Sequence, residues 1–287
     1  MFIKELTATE FAKDPRLTAD SVLLVKEAIS HWPAVGRWTP SFFARQCADI
    51  RVTVKYFTSA GITSQFLSMK YFVELLQAFN ENPENRDIAP YCHDVPIFLQ
   101  NPDLIADIEA FPSHLLPEFY RANWWEYVQF FISPSGATTP LHFDTLRTHN
   151  LFFQVMGDKD FYLIPWQDRN KCKRRGWRWF DCDPSASEDL CQLESSGVTV
   201  RKVKVSAGDM FYMPAGTLHH VKSNADCISF NLDFHNKTSV LKSFMGIKEG
   251  MPRTNLFYNW LTFRALFLGM DRSEFFKKYR SYLNFIS

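Results

Sequence analysis

No charge imbalance marks this chain: 32 Lys and Arg stand against 31 Asp and Glu, a net charge of +1. Such balance predicts neither wholesale nucleic-acid binding nor attraction to an anionic membrane, so small or neutral partners are expected. Long apolar runs are missing as well. No stretch approaches the roughly 18 uninterrupted apolar residues of a membrane-spanning helix, and the opening "MFIKELTATEFAKD" lacks the apolar core of a signal peptide. The expectation is a soluble, intracellular (cytoplasmic) protein that touches no membrane. The six cysteines include no Cys-x-x-Cys pair, and a chain of 287 residues does not need disulfides to fold. Reduced thiols follow, and although Cys172, Cys182 and Cys191 share one segment, their spacing fits no closed zinc site. Repeats, low-complexity tracts and linkers are absent too, which leaves one domain with an integral helical tail.

What is abundant is core-forming: 46% of the residues are hydrophobic and 16% aromatic. Thr7 with Glu10 makes a capping-box pattern before a short opening helix. "SVLLV" (21–25) reads as a strand, "TPSFFARQCA" (39–48) as a helix with Pro at its start, and "VTVKYF" (52–57) as a second strand. "MKYFVELLQAFN" (69–80) has helical spacing, and "NPENRD" closes it as a loop. From Glu126 to Phe234 the character turns to β, with "EYVQFFIS", "NLFFQVM", "KDFYLIP", "TVRKVKVS", "DMFYMP" and "CISFNLDFH" as short strands divided by Gly, Pro, Asp and Asn. Strands so punctuated imply a sandwich or barrel. "MGDKD" (156–160) reads as a hairpin turn, and about 167–197 as a long irregular insert facing the substrate. After Asn236 two helices are expected, "TNLFYNWLTFRALFLG", apolar nearly all round, and "EFFKKYRSYLNFI" capped by Asp271 and Glu274, as a lid on the β core or a dimer interface.

The stretch "TPLHFDTLRTHNLFFQVMGDKDFYLIP" (139–165) sets polar residues among strand formers. In a strand, residues i and i+2 share a face, so His142 and Asp144 present an imidazole and a carboxylate together, with Phe143 opposite. "GDMFYMPAGTLHHV" offers His219 and His220 as a third ligand. Two His and one carboxylate on one face of an iron leave three coordination positions open.

With "GATTPLHFD", "GDMFYMPAGTLHHV" and "HWPAVGRWTPSFFA" (31–44), the sequence from about Ser21 to Phe234 resembles the Jumonji C family of cupin-type Fe(II) and 2-oxoglutarate dependent dioxygenases. It most resembles the branch of the asparaginyl hydroxylase that regulates hypoxia-inducible factor. The resemblance implies a mainly β fold with flanking helices: a double-stranded β-helix (cupin or jelly-roll barrel) with an N-terminal α/β prelude and a C-terminal helical tail. Residues 1–236 would be the catalytic domain, its core about 122–236, and 237–287 the tail, a possible homodimer element. The family's spacing from Pro to the distal His selects His219, giving His142, Asp144 and His219 as the metal ligands. Lys159, in a Gly-x-Lys context, would pair with the far carboxylate of 2-oxoglutarate, while Thr139, Asn150, Asn231 and Tyr91 would line that pocket. The implied reaction consumes O2 and 2-oxoglutarate, releases succinate and CO2, and hydroxylates an aliphatic C–H. A protein or peptide residue is the first choice of substrate. A small-molecule hydroxylase is the alternative, followed by an N-methyl demethylase and a non-catalytic metal-binding cupin. Two departures from the asparaginyl hydroxylase bear on substrate choice: a longer interval after Asp144, bringing Arg147 and His149 near the metal, and Thr217 and Leu218 in place of bulky aromatics. The basic run Arg169, Lys171, Lys173, Arg174, Arg175 and Arg178, with Trp177 and Trp179, could grip an acidic peptide or an RNA backbone.

Overall fold

Short runs of period-two alternation, broken by Gly, Pro and Asp, form the strands of two sheets in the computed structural model, which describes residues 2–58, 61–82 and 89–286. The prelude runs β1 (Phe2–Thr7), α1 (Ala8–Lys13), β2 (Ser21–Lys26), α2 (Pro33–Arg37), α3 (Pro40–Gln46), β3 (Arg51–Thr58), β4 (Gly61–Ser68), α4 (Met69–Glu81), β5 (Tyr91–Val95), α5 (Ile97–Gln100) and α6 (Glu118–Arg121). The capping box holds: Thr7 Oγ1 accepts the Glu10 amide and the Glu10 carboxylate accepts the Thr7 N–H. β1 and β4 were not expected, and the "NPENRD" loop lies mostly outside the described residues.

The core follows as β6 (Val128–Ser133), β7 (Thr138–His142), β8 (His149–Met156), β9 (Asp158–Ile164), β10 (Arg174–Arg175), β11 (Trp179–Phe180), α7 (Ser187–Ser195), β12 (Arg201–Ser206), β13 (Met210–Met213), β14 (Leu218–Ser223) and β15 (Cys227–Phe234). One sheet runs β1-β2-β13-β8-β15-β6-β5-β3-β4, the other β10-β11-β7-β14-β9-β12. Four strands of each, β13-β8-β15-β6 and β7-β14-β9-β12, face one another as the two halves of a jelly roll. The prelude strands extend the first sheet at both edges, so the prelude is continuous with the barrel.

Alternation assigns the faces. Phe130, Phe153, Phe230 and Leu232 point out of the first sheet into the main core, against Trp32, Trp38 and Phe43 of the prelude and Tyr258, Phe275 and Tyr279 of the tail. Inside the barrel, Phe161, Leu163, Val205, Phe211 and Met213 plug one end. The other end is polar.

Two expectations fail here. "MGDKD" is a sharp bend but no hairpin: β8 and β9 belong to different sheets, and the chain crosses between them at Gly157. Gly157 has φ +73°, and a Cβ there would meet Asp226 O at 2.3 Å, so only glycine fits. The 167–197 insert is not irregular either. It forms a 3-10 turn (Trp166–Lys171), the β10-β11 hairpin and α7, and it covers the outer face of the second sheet with Cys172, Phe180, Leu193 and Val198 on Leu141, Phe143, Ile164 and Leu218.

The tail is α8 (Lys237–Ser243), α9 (Arg253–Phe267) and α10 (Arg272–Ile286). Asp271 Oδ1 accepts the Ser273 and Glu274 amides and so caps α10, while the Glu274 carboxylate turns to Lys278. α9 buries Tyr258, Leu261 and Ala265 but leaves Phe257, Trp260 and Phe267 exposed, with the Trp260, Phe263 and Phe267 rings stacked along it. No helix among the described residues is long and apolar enough to cross a membrane.

Candidate metal centre

β7 and β14 are neighbours, and their ladder sets His142 opposite His219, with ring centroids 4.2 Å apart. Asp144 lies two residues past the end of β7, and its Oδ1 is 3.8 Å from His219 Nε2. One donor atom from each of the three fits within a 4.8 Å span. Both imidazoles are oriented through the backbone: His142 Nδ1 meets Pro140 O at 2.8 Å and His219 Nδ1 meets Thr217 O at 3.1 Å. Donating Nδ1–H to a carbonyl leaves the Nε2 lone pair free for a metal. Burial, then the neighbouring His219, holds the His142 ring well below its ordinary pKa and therefore neutral. Burial likewise raises the Asp144 carboxyl, the environment of a carboxylate that wants a cation. The donor set fits a divalent ion with open coordination positions. Among the described residues no other cluster of this kind exists, Cys172, Cys182 and Cys191 included.

Thr139 and His142 have opposite parity yet both line the same cavity. Three residue steps along β7 (139 to 142) face two along β14 (221 to 219), a bulge that re-aims the strand end.

The cavity, about 70 Å³, runs from the His-Asp-His cluster to Lys159. Lys159 is 1% exposed; its Nζ donates to Tyr91 Oη at 2.8 Å and Ser229 Oγ at 3.1 Å, among the Tyr91, Phe131 and Phe152 rings. Among the described residues no carboxylate lies within ion-pairing distance of it. Asn150 and Asn231 each donate from Nδ2 to Asp233 Oδ1 at 3.0 Å, and Asn150 also approaches Asp144 Oδ2 at 3.4 Å. Their buried amide oxygens have no protein partner. Thus all eight expected site residues line or border one cavity.

Several lining residues were missed. Asp233 shares the inward face of β15 with Asn231, as does Ser229, which touches Lys159 without lining the cavity, so alternation could have found both. His93, Asp94 and Tyr282 carried no local signal, and Arg178 stood out only as a member of the basic run. Asp94, at φ +57°, accepts from Lys55 Nζ at 2.7 Å and is 2.8 Å from His93 Nδ1, whose pKa burial lowers to about 4. Tyr282 comes from α10, so the tail supplies part of the wall.

Other expectations are corrected. Arg147, at φ +59°, turns away from the metal, packs on Trp166 and Trp177 and pairs with Glu249 at 2.6 Å. His149, out of phase with Asn150, faces Tyr212, whose hydroxyl is 2.8 Å from its Nδ1. Thr217 donates to Pro214 O and Leu218 is buried under the insert, so neither opens space at the cavity. His220 points to the opposite face from His219, 3.4 Å from Asp183. The basic run is largely neutralised: Arg169 and Arg174 pair with Glu249, Lys171 with Asp168, and Lys173 and Arg175 with Asp181. Arg178 alone of that run reaches the cavity, its guanidinium 4.4 Å over the Trp179 ring.

A family model described as a cupin-like domain matches residues 17–239. The chain belongs to the cupin-like family. Among its relatives is the human "bifunctional peptidase and (3S)-lysyl hydroxylase JMJD7", 23% identical over 271 residues, 81% of this chain and 83% of that protein. The Drosophila melanogaster "Jumonji C domain-containing protein 5" is 26% identical over 222 residues, covering 74% of this chain and 53% of that protein. The human "2-oxoglutarate and iron-dependent oxygenase JMJD4" is 23% identical over 188 residues, covering 56% and 45%. The chain therefore spans most of the first relative but about half of the other two. Cupin-like membership fits the paired four-strand sheets, and the metal cluster falls inside the matched region.

Proposed function

We propose that this cupin-like protein is an iron(II)- and 2-oxoglutarate-dependent oxygenase that hydroxylates an aliphatic C–H of a protein or peptide residue. The observation that carries the reading is the pairing, across one cavity, of a His-Asp-His cluster with a buried lysine that has no carboxylate of its own. A dicarboxylate whose keto-acid end lies at the metal and whose far end reaches Lys159 would satisfy both. His142, Asp144 and His219 would hold the metal, and Lys159, steadied by Tyr91 and Ser229, would fix the far carboxylate. The Thr139 hydroxyl would orient the cosubstrate, and the unpartnered amide oxygens of Asn150 and Asn231 would accept from water beside it, with Asp233 pinning both amides. An iron(II) centre with a 2-oxo acid and O2 supplies the oxidising power for C–H hydroxylation, with succinate and CO2 as coproducts. The protein's own task is placement and dryness: Phe131, Phe152 and Phe161 wall the lysine end, while Trp179 packs on His142 with centroids 4.9 Å apart.

A peptide substrate is favoured by the relative named as a lysyl hydroxylase. The motif resemblance to the asparaginyl hydroxylase branch remains part of this reading on the motifs alone. A small-molecule substrate would use the same site. We also read the exposed Leu241, Met245, Trp260, Phe267 and Leu268 of the tail as a homodimer face. Light scattering that gives a monomer mass across micromolar concentrations would remove that part.

The test of the site is an anaerobic titration of 2-oxoglutarate into the Fe(II) protein, following the visible metal-to-ligand charge-transfer band. A saturable band, lost in Asp144→Ala and weakened in Lys159→Ala, is expected. A folded, iron-loaded protein with no band would be a binding cupin.

A further inference from the structure

The β10-β11 hairpin pairs Arg175 with Trp179 and Arg174 with Phe180, and the next rung is closed by Asp181 N donating to Lys173 O at 2.7 Å. Continuing that register sets Cys172 directly opposite Cys182. Hydrogen-bonded and non-hydrogen-bonded pairs alternate along an antiparallel ladder, and the bonded 173–181 rung makes 172–182 a non-bonded pair. Such pairs have Cα atoms about 4.5 Å apart with side chains on one face, within the roughly 4.4–6.8 Å that a disulfide spans. We propose that Cys172 and Cys182 form a reversible dithiol–disulfide site, oxidised by a low-molecular-weight disulfide, that clasps the hairpin lining the candidate catalytic cavity.

The surroundings support reactivity at this pair. The two thiols interact, and the Cys182 contact, opposed by burial and aided by Lys171, lowers the Cys172 pKa. A lowered thiol pKa raises the fraction present as the attacking thiolate. Cys182 is half-buried, which gives a small disulfide a way in. Cys172 is buried like Cys47, Cys92 and Cys227, but burial pushes those three thiols up, whereas the shared contact lowers Cys172 and raises its partner Cys182. Cys191 is exposed on α7. In the exchange, one protein thiolate attacks the oxidant's S–S bond and expels one small thiol. The second protein thiolate then attacks the mixed disulfide and expels the other. One S–S bond breaks and one forms, and the electron pair and two protons leave on the two small thiols.

The clasp would be felt at the metal cluster. The residues enclosed between Cys172 and Cys182 include Arg178, which lines the cavity, and Trp179, which pairs with His142 across the ladder. Phe143 N, between two of the proposed ligands, donates to Arg178 O at 3.2 Å.

The test equilibrates the full-length protein in glutathione redox buffers, quenches with acid and alkylates free thiols. Intact mass and non-reducing tryptic mapping then read the result. Trypsin cuts at Lys173, Arg174, Arg175 and Arg178 between the two cysteines, and Asp-N added to the digest cuts before Asp183 and parts Cys182 from Cys191, which leaves the Cys172 and Cys182 peptides joined only by the disulfide. The expected result is loss of two hydrogens and one joined peptide pair, both reversed by dithiothreitol. Cys182→Ser should instead carry a glutathione adduct on Cys172, appearing only in more oxidising buffer. Absence of the joined pair from natively folded wild type at every ratio, with adducts or cross-links at Cys191 instead, overturns the proposal. So does an oxidation profile unchanged in the variant.

Discussion

Replacing Lys159 by Met should reverse the usual order of wild type and variant, depending on whether ligand is present. Lys159 is fully buried with two hydroxyl partners and no counter-ion. Burying an ammonium costs several kcal/mol even after relaxation. Two hydrogen bonds to a charged donor return about 1.5–3 kcal/mol each, so the lysine is close to neutral or mildly destabilising in the ligand-free protein. Met fills the same volume among the Tyr91, Phe131 and Phe152 rings at no desolvation cost. The unliganded variant should therefore be more stable by about 1 kcal/mol, or about 2 °C in midpoint for a domain of this size. With metal and 2-oxoglutarate at about a hundred times its dissociation constant, wild type should gain about 2.7 kcal/mol. The variant should gain little beyond the metal's own contribution. The assay is thermal unfolding of both proteins with Mn(II), anaerobically, with and without 2-oxoglutarate, and the signature is a crossing of their rank order. A variant that melts below wild type without ligand and shifts equally with it would refute both the uncompensated charge and the assignment of the far carboxylate.

Acid should unfold the protein steeply. Burial lowers the pKa of His93, His149 and His220 to about 4 and of His235 to about 3, against about 6.5 in the unfolded chain. Each is neutral when folded and takes up a proton on unfolding. Its contribution is present above about pH 6.5 and is lost as the pH falls through 6.5 toward 4, at about 1.4 kcal/mol per pH unit each once the unfolded chain is protonated. With His142 also held neutral, His220→Gln, at a ring with no hydrogen-bond partner, should lower the slope by about a fifth; urea midpoints that stay flat from pH 7 to 5 count against this. Gly157→Ala should cost more than about 2 kcal/mol, because strain at positive φ adds to a clash with Asp226 O. Gly136→Ala, also at positive φ but in open space, should cost only about 1 kcal/mol; equal urea midpoints for the two would refute the close-approach argument. Asp144→Ala should abolish tight Mn(II) binding, measured by calorimetry, while leaving the fold intact.

Local alternation made much of the site legible. It set His142 with Asp144, although Asp144 lies two residues past the end of β7, and it turned His220 away once the family spacing had selected His219; Asn150 came from the resemblance alone. It could not say which sheet a strand joins. The bend at Gly157 therefore looked like a hairpin, although the crossing it makes is what brings Lys159 from the second sheet to face Tyr91 and Ser229 of the first. Arg147 was misplaced for a related reason: one residue at positive φ reverses the chain's direction, and nothing in "DTLRTHN" announces it. Arg178 and Tyr282 reach the cavity from a hairpin and a terminal helix, contacts set by packing across long sequence separations.

The polar residues of the 139–165 stretch have an energetic explanation. Thr139, His142, Asn150 and Lys159 occupy inward positions that apolar side chains could fill, as Phe161, Leu163 and Val205 do at the other end of the same barrel. Each buried polar group costs stability unless it is satisfied. Here the Asn150 and Asn231 amide oxygens are not, and the lysine has no anion. A barrel selected for stability alone would continue its plug through both ends. The polar half makes physical sense as a site whose missing partners are a metal ion and an acidic ligand.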